Sequence, residues 1–186
     1  ILASPDAYPL LDPAEHPDAY DHLDRVHLAI MDSGEVVRED DFEWQTWIIH
    51  DDATLNAFAA PGGYVYITTG LLAYAGTEAE MAGVLAHEIG HVVARHTVQR
   101  IQKAYGAALV ADLLIGDQET LQQIAGLATN LLLMKYGRED EYEADEFGVK
   151  YAAAAGYDCR EMSSFLAKML DLQGGASPDG MAAWFS

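Results

Sequence analysis

The stretch VLAHEIGHVVARH, residues 84–96, places three histidines and one glutamate inside a run that is otherwise almost wholly apolar. On a helix, His87 and His91 differ by only about 40° and project from one face, one turn apart. Two imidazoles can then bind one metal ion. Burying two histidines and a carboxylate without a metal or polar partners would cost several kcal/mol, so the apolar flanks favour a metal site over core histidines.

The glutamate beside the first histidine suits a catalytic role. Glu88 lies about 100° round the helix from His87, near enough to reach a water on the ion. This is the HExxH arrangement, and zinc suits it because zinc accepts nitrogen and oxygen ligands and lowers the pKa of bound water to about 7. The pattern predicts a Zn²⁺ site, with Glu88 as general base in attack on a peptide carbonyl.

A catalytic zinc needs a third protein ligand and one open position. His96 is the nearest candidate in the sequence. It follows His91 by five residues, so on a continuous helix it points about 140° away and cannot meet the same ion. We therefore expect His96 to have a structural role or to support a ligand.

The acidic segment REDEYEADEFG, residues 138–148, is a better source of the third ligand. Glu141 and Asp145 share one helix face, so one could bind the metal while the other orients a zinc-bound histidine. Glu143 projects elsewhere. The longer side chain favours Glu141 as the ligand, although an acidic helix start could also simply complement the helix dipole.

Composition limits the remaining possibilities. The chain has 186 residues, of which 51% are hydrophobic, and this is enough for one domain with a real core. Apolar runs such as residues 107–115 are too short to cross a bilayer. A net charge of −20 disfavours binding to nucleic acid and to anionic lipid.

Hydrophobic periodicity predicts an α+β fold that is mostly helical, with a small sheet before the metal-binding helix. Helices are expected at residues 20–31, 77–102, 118–134, 138–155 and 160–172. Strands are expected at residues 42–50 and 64–68. Four prolines make residues 1–17 an irregular arm without an export-signal pattern, as in a mature or trimmed chain, and residues 18–186 are expected to form one domain.

Three separate motifs resemble one family, the CAAX-prenyl-protease and HtpX-like zinc metallopeptidases: HEIGH at 87–91, EYEAD at 141–145 and NAFAAPGGYVYITTGLL at 56–72. The likeness is greatest to the soluble bacterial envelope branch, the β-barrel assembly-enhancing proteases, and to the related mitochondrial Oma-type enzymes. It implies a zincin-like fold of the gluzincin type.

The resemblance also implies roles for individual residues. The zinc ligands would be His87, His91 and Glu141. Glu88 would be the general base, and Asp145 would orient a ligand histidine.

The resemblance gives the strand before the active-site helix a function. In such enzymes this strand lies along the cleft, and an extended substrate adds to its edge by main-chain hydrogen bonds. The residues of that edge would be Tyr64, Val65, Tyr66, Ile67 and Thr68. The alternative is an ordinary core strand that follows a Gly-Gly turn.

At its end the sequence departs from the family pattern. Relatives of this branch usually continue past the last helix into a segment with a His-Pro pair, whereas no histidine follows His96 here. Either the chain is truncated before that segment or this control is absent. The group that stabilises the oxyanion is not assigned, and His96 and Arg138 are the two candidates.

By resemblance, the protein would be a zinc endopeptidase of extended or misfolded polypeptides in the periplasm or cell envelope, with outer-membrane assembly machinery as a partner. The other function considered is a zinc-containing chaperone or assembly adaptor with little or no proteolysis. The proline-rich arm or a missing C-terminal continuation could also cover the cleft and keep the enzyme latent.

Overall fold

A computed structural model describes residues 8–106 and 136–172. The helix predicted at residues 118–134 lies outside the described residues. In chain order the described elements are α1 (Pro17–Met31), a 3-10 turn (Glu39–Asp41), β1 (Gln45–Ile49), β2 (Ala57–Ala60), β3 (Tyr64–Thr68), α2 (Thr69–Tyr74), α3 (Glu78–Val93), α4 (His96–Tyr105), α5 (Arg138–Ala154) and α6 (Arg160–Leu172). The predicted α+β fold, mostly helical with a small sheet before the metal-binding helix, is confirmed.

Helix α1 packs the predicted apolar face against the core. It begins three residues earlier than expected, at Pro17, because proline is well suited to the first turn of a helix. Leu23, Val26 and Ile30 are fully buried. The described part of the N-terminal arm is tied to the sheet, since Leu11 donates its backbone N–H to the Ile48 carbonyl at 2.8 Å.

The three strands form one sheet in the order β1-β3-β2. Strand β3 has the predicted bounds, but the prediction that it is an edge strand is wrong. It pairs in parallel with β1 on one side and antiparallel with β2 on the other. Because both sets of its main-chain groups are already paired, Tyr64, Val65, Tyr66, Ile67 and Thr68 cannot add a substrate strand.

Helix α3 lies at the centre of the molecule and packs against α1, β2, α5 and α6. All but two of its residues are buried. This burial explains why its hydrophobic pattern extends round the whole helix rather than along one stripe. In the described residues no helix has both the length and the hydrophobicity needed to cross a membrane.

The helix predicted over residues 77–102 is in fact two helices. Helix α3 ends at Val93, and α4 starts at His96 after Arg95 takes a left-handed backbone conformation with φ of 59°. That conformation costs a residue other than glycine roughly 1–2 kcal/mol. Contacts from a distant segment hold the break: Arg95 pairs with Asp41 at 2.9 Å, and Arg38 donates to the Val93 carbonyl at 3.2 Å.

Candidate metal centre

Helix α3 carries three of the predicted site residues in its middle turns. Its start is fixed by Thr77, whose hydroxyl accepts a hydrogen bond from the Glu80 N–H at 3.1 Å, an arrangement that stabilises helix N-termini. Apolar neighbours surround the following turns. As a result, His87, Glu88 and His91 are each at most 1% exposed.

The structure brings His87, His91 and Glu141 together, and we call these three residues the metal centre. The two Nε2 atoms of His87 and His91 are 3.0 Å apart. The Glu141 carboxylate lies 3.5 Å from His87 Nε2 and 3.9 Å from His91 Nε2. One ligand atom from each residue lies within 4.8 Å of the other two, close enough to share one ion.

The chemistry of this group fits a divalent metal ion. Glu141 is only 3% exposed, and its Oε2 atom has no hydrogen-bond partner among the described residues. A buried carboxylate oxygen left in this state is costly unless a cation meets it. Two imidazole nitrogens and one carboxylate form a donor set that zinc accepts.

Close contact between α3 and α5 places Glu141 beside the histidines. A Cβ atom added at Gly90 would lie 3.0 Å from Phe147 Cβ and 3.1 Å from the Ala144 carbonyl oxygen. One added at Gly148 would lie 3.2 Å from the backbone N and Cα of His87. The two glycines therefore allow the helix backbones to approach closely enough for Glu141 to reach its partners.

Asp145 holds the first histidine, as the sequence spacing suggested. Its Oδ1 atom lies 3.0 Å from His87 Nδ1. An ionised carboxylate only accepts hydrogen bonds, so Nδ1 carries a hydrogen and Nε2 is the ring atom that faces the metal centre. Burial opposes protonation of His87, but the carboxylates of Asp145 and Glu141 outweigh burial and raise its pKa to about 9.

His96 holds the second histidine. The break after α3 turns it back, so that its Nδ1 lies 2.9 Å from His91 Nδ1 and its Nε2 lies 3.2 Å from Glu143 Oε2. With Glu143 accepting, His96 Nδ1 is free to accept from His91 Nδ1–H. The lone pair of His91 Nε2 then faces that of His87 Nε2 across 3.0 Å. Two lone pairs at that distance repel each other, so either the extra proton of His87 or a metal ion has to lie between the nitrogens.

Comparison with known proteins agrees with this geometry. The family described as Peptidase family M48 matches residues 18–186. The chain belongs to peptidase family M48. The sequence resemblance to zinc metallopeptidases of this kind is thereby confirmed at the level of the family.

Named relatives of this M48 chain come from mitochondria and bacteria. The mitochondrial metalloendopeptidase OMA1 of Arabidopsis thaliana is 34% identical over 137 residues, which cover 73% of the chain and 28% of the relative. OMA1 of Schizosaccharomyces pombe is 34% identical over 119 residues, 63% of the chain and 35% of the relative. The β-barrel assembly-enhancing protease of Yersinia pestis is 31% identical over 136 residues, 67% of the chain and 28% of the relative. The matched region thus spans about a third or less of each relative.

The fourth predicted residue of the M48 site, Glu88, lies beside the metal centre. Burial raises its pKa to about 7, against the effects of the His87 charge and of a hydrogen bond from the Ala59 backbone. Its Oε2 atom accepts no hydrogen bond from the part of the chain that is described. A carboxyl group with a pKa near neutrality can both take and return a proton.

The sheet edge that faces the M48 metal centre belongs to β2, which the sequence did not predict as a strand. Thr68 donates its N–H to the Asn56 carbonyl at 3.0 Å, so the alternate residues Ala57 and Ala59 direct their main-chain groups away from β3. Ala59 points toward the helices, where its carbonyl accepts from the Thr97 hydroxyl at 3.4 Å. Within the described residues, no strand pairs with this outer edge.

Tyr136 is a site residue that sequence reasoning missed. Its ring stacks on His91 with centroids 3.9 Å apart, and its hydroxyl lies 2.6 Å from Thr97 Oγ1. The Arg100 guanidinium lies over the Tyr136 ring, 3.9 Å from its centroid. Burial raises the pKa of Tyr136 to about 12. Its position just before the acidic segment was the only signal available, and it is a weak one.

The two candidates for the oxyanion partner occupy different surroundings. His96 is buried and its two ring nitrogens are engaged with His91 and Glu143. Arg138 is exposed at the first residue of α5, one turn before Glu141. Of the two side chains, only Arg138 is exposed on the surface.

Proposed function

We propose that this M48 chain is the catalytic domain of a zinc endopeptidase that hydrolyses extended or misfolded polypeptides. The observation that carries the proposal is the convergence of His87, His91 and Glu141 in a buried position, with Glu88 beside them. Membership of a peptidase family supports it.

In this proposal His87, His91 and Glu141 hold the zinc ion. When bound, zinc supplies Lewis-acid chemistry that acidifies a water molecule and polarises a carbonyl oxygen. Asp145 and His96 keep the two imidazoles in the tautomer that directs Nε2 to the metal centre. These contacts fix both rings before any substrate arrives.

Glu88 is the general base in this proposal. Its Oε2 atom takes a proton from the attacking water and passes it to the nitrogen of the leaving amine. Both transfers require a carboxyl group that is ionised in one step and protonated in the next. A pKa raised to about 7 by burial is suited to that exchange near neutral pH.

Substrate binding is assigned to the outer edge of β2. The main-chain groups of Ala57 and Ala59 face away from β3, but both residues are buried and those of Ala59 already bond to Glu88 and Thr97. An extended polypeptide that pairs with this edge would take the place of these internal contacts. Ala59 is in hydrogen-bond contact with Glu88, so a chain bound there lies next to the catalytic carboxylate. Main-chain pairing, rather than recognition of particular side chains, would then explain binding of unfolded proteins.

The cellular setting is proposed to be protein quality control in the cell envelope. The name of the Yersinia pestis relative refers to β-barrel assembly, and this supports outer-membrane assembly machinery as a partner. The OMA1 relatives are named as mitochondrial, so the names of the relatives do not share one location.

The test is the Glu88→Gln variant, assayed for bound zinc by elemental analysis and for cleavage of unfolded casein. We expect wild-type zinc content and a loss of cleavage, because the amide cannot take the proton of the water. Glu146→Gln, at an exposed position of α5, is the matched control and should cleave like the wild type.

Two results would change the proposal. Unchanged cleavage by Glu88→Gln would refute its role as general base. Stoichiometric zinc in a wild-type protein that does not cleave casein, together with client binding that survives in Glu88→Gln, would instead support the chaperone or adaptor function.

A further inference from the structure

A cavity of about 640 Å³ lies between helix α1 and the start of strand β1, and we call it the Trp44 cavity. Helix α1 contributes one wall, and residues 44–47 contribute another. Strand β1 is at the edge of the sheet opposite to β2, the strand whose edge faces the metal centre. His87, Glu88 and His91 do not line this cavity. The proposed catalytic site therefore leaves it without a function.

The charged side chains that line the Trp44 cavity are all acidic. They are those of Asp24, Asp32 and Glu39, and all three residues are exposed. Within the described ranges none of them pairs with a lysine or an arginine, since the ion pairs of those basic residues involve other carboxylates. Outside these ranges the sequence has one basic residue, Lys135, directly before Tyr136. The three carboxylates are therefore available to a cation from another molecule.

A buried histidine in the lining adds a hydrogen-bonding group without a partner. His27 is 7% exposed, and its Nδ1 atom has no hydrogen-bond partner in the part of the chain that the structure describes. Burial lowers the pKa of His27, so the ring is neutral at pH 7 and one of its nitrogens can accept a hydrogen bond. A ligand that suits this lining is positively charged and carries N–H donors.

Two tryptophans give the Trp44 cavity an aromatic surface. Trp44 and Trp47 are half-buried and both line it. Trp44 is held in place, because its Nε1 donates to the Glu39 carbonyl at 2.9 Å and its ring meets that of Phe42 edge to face, with centroids 5.3 Å apart. A guanidinium group stacks on aromatic faces and pairs with carboxylates through two parallel hydrogen bonds, whereas an ammonium is a strongly hydrated point charge. The lining therefore suits arginine better than lysine.

The cavity also borders an unpaired part of β1. Residues 9–11 cover the second half of this edge, where Leu11 donates its N–H to the Ile48 carbonyl at 2.8 Å. Thr46, two residues earlier, directs its main-chain groups the same way, and no residue in the described ranges bonds to them. The Thr46 hydroxyl donates to Asp24 Oδ1 at 2.9 Å. An extended segment that pairs with Thr46 would thus lie beside the cavity carboxylates.

We propose that the Trp44 cavity binds an arginine side chain of an extended segment from a partner protein. The carboxylates and tryptophans recognise the guanidinium, and Thr46 pairs with the main chain of the segment. Because β1 and β2 lie at opposite edges of the sheet, the bound segment is recruited rather than cleaved. The net charge of −20 attracts a basic partner from a distance. This interaction does not depend on the proposed peptidase activity.

The experiment measures peptide binding by isothermal titration calorimetry in the Glu88→Gln background, so that the probe is not cleaved. The probe is a pool of nonapeptides with a central arginine and flanks randomised among glycine, serine, threonine and valine. We expect binding to weaken by about tenfold or more when citrulline, which is similar in shape but uncharged, replaces the arginine. The amide of acetylarginine, which lacks the extended main chain, should also bind at least about tenfold more weakly than the pool.

Two triple variants separate the cavity from the overall charge of the chain. The first neutralises the cavity and should weaken binding of the arginine pool by about tenfold or more; it combines Asp24→Asn, Asp32→Asn and Glu39→Gln. The second makes the same change in net charge at exposed positions outside the lining and should bind the pool like its parent; it combines Asp18→Asn, Asp21→Asn and Asp40→Asn. If the first triple variant does not fold, Asp32→Asn alone decides, with an expected loss of roughly threefold.

Several results would overturn the proposal. No binding of the arginine pool, or equal binding of the citrulline pool, would show that the cavity does not recognise arginine. Equal weakening in both triple variants would assign the attraction to the overall charge. Acetylarginine amide that binds as tightly as the pool would make a small cation the ligand instead of a polypeptide. Because none of these measurements uses cleavage, failure here leaves the proposed peptidase function intact, and the reverse also holds.

Discussion

Two buried glutamates, at contacts of α3 with two different helices, show how a structural carboxylate differs from a metal-binding one. Glu80, at the contact between α3 and α6, is fully buried, accepts the Gly76 N–H at 2.7 Å and pairs with Lys168. Glu141, at the contact between α3 and α5, is equally buried, but its Oε2 atom accepts no hydrogen bond from any described residue.

The difference lies in what each carboxylate meets. Neighbouring groups satisfy Glu80, so this residue ties α3 to α6. Glu141 faces two imidazole nitrogens, which cannot neutralise it without protons or a cation. From burial alone the two residues would be indistinguishable, and the arrangement of donors and acceptors around them separates structure from function.

The largest expected effect is that of Glu141→Gln on metal binding. Zinc affinity should fall by more than roughly 100-fold, since changes even to groups that only support a ligand typically cost 10–100-fold. Stability measured with a chelator present should fall as well, because Glu141 helps to stabilise the protonated form of buried His87. Competition titration with a zinc indicator measures the zinc affinity, and urea unfolding measures the stability. A zinc affinity equal to that of the wild type would show that Glu141 is not a ligand.

The next effect concerns His96, which binds no metal in this proposal but orients His91. In His96→Leu we expect zinc affinity to fall by about 10–100-fold, because His91 loses the acceptor that fixes its tautomer. His96→Gln, which keeps a hydrogen-bond acceptor, should restore part of the loss. Equal zinc affinity in both variants and in the wild type would show that His96 only fills space.

Glu80→Gln makes the same substitution on the structural side of the comparison. Unlike in Glu141→Gln, zinc affinity should stay at the wild-type value, while the free energy of unfolding falls by about 1–2 kcal/mol as the charged hydrogen bonds to Gly76 and Lys168 weaken. Urea denaturation in chelator provides the measurement. A variant as stable as the wild type would mean that Glu80 contributes nothing as an anion.

The smallest effect is expected for His27. This buried histidine shows that an unsatisfied polar atom is not by itself the sign of a metal ligand. Its Nδ1 atom also has no hydrogen-bond partner in the described residues, yet it belongs to no ligand group there. Burial lowers its pKa despite the nearby Asp24. An unsatisfied atom therefore indicates a metal ligand only where several ligands converge.

The pH dependence of stability tests this reading of His27. Because the folded pKa lies below the unfolded value of about 6.5, the unfolded chain binds more protons as the pH falls below that value. Wild-type stability should therefore decrease from pH 7 toward pH 5 more steeply than that of His27→Phe, which cannot titrate. Parallel unfolding curves across this range would show that His27 titrates alike in both states.

Elements governed by local pattern were predictable, and those held by distant contacts were not. The strand at Tyr64–Thr68 follows from its β-branched and aromatic residues. Strand β2 was missed because AFAA is mostly alanine, and it is extended only because it pairs with β3. The break at Arg95 has no glycine or proline to signal it, and it depends on Asp41, more than fifty residues earlier.

The sequence by itself determined that two histidines and a glutamate share a buried helix, because the helical period fixes the direction of each side chain. It also limited the third ligand to an acidic segment farther along the chain. Only the tertiary structure decided that Glu141 faces the histidines, that Asp145 and His96 hold their rings, and that β2 rather than β3 lies at this edge of the sheet. These features depend on how separate elements approach one another, and local periodicity carries no information about that.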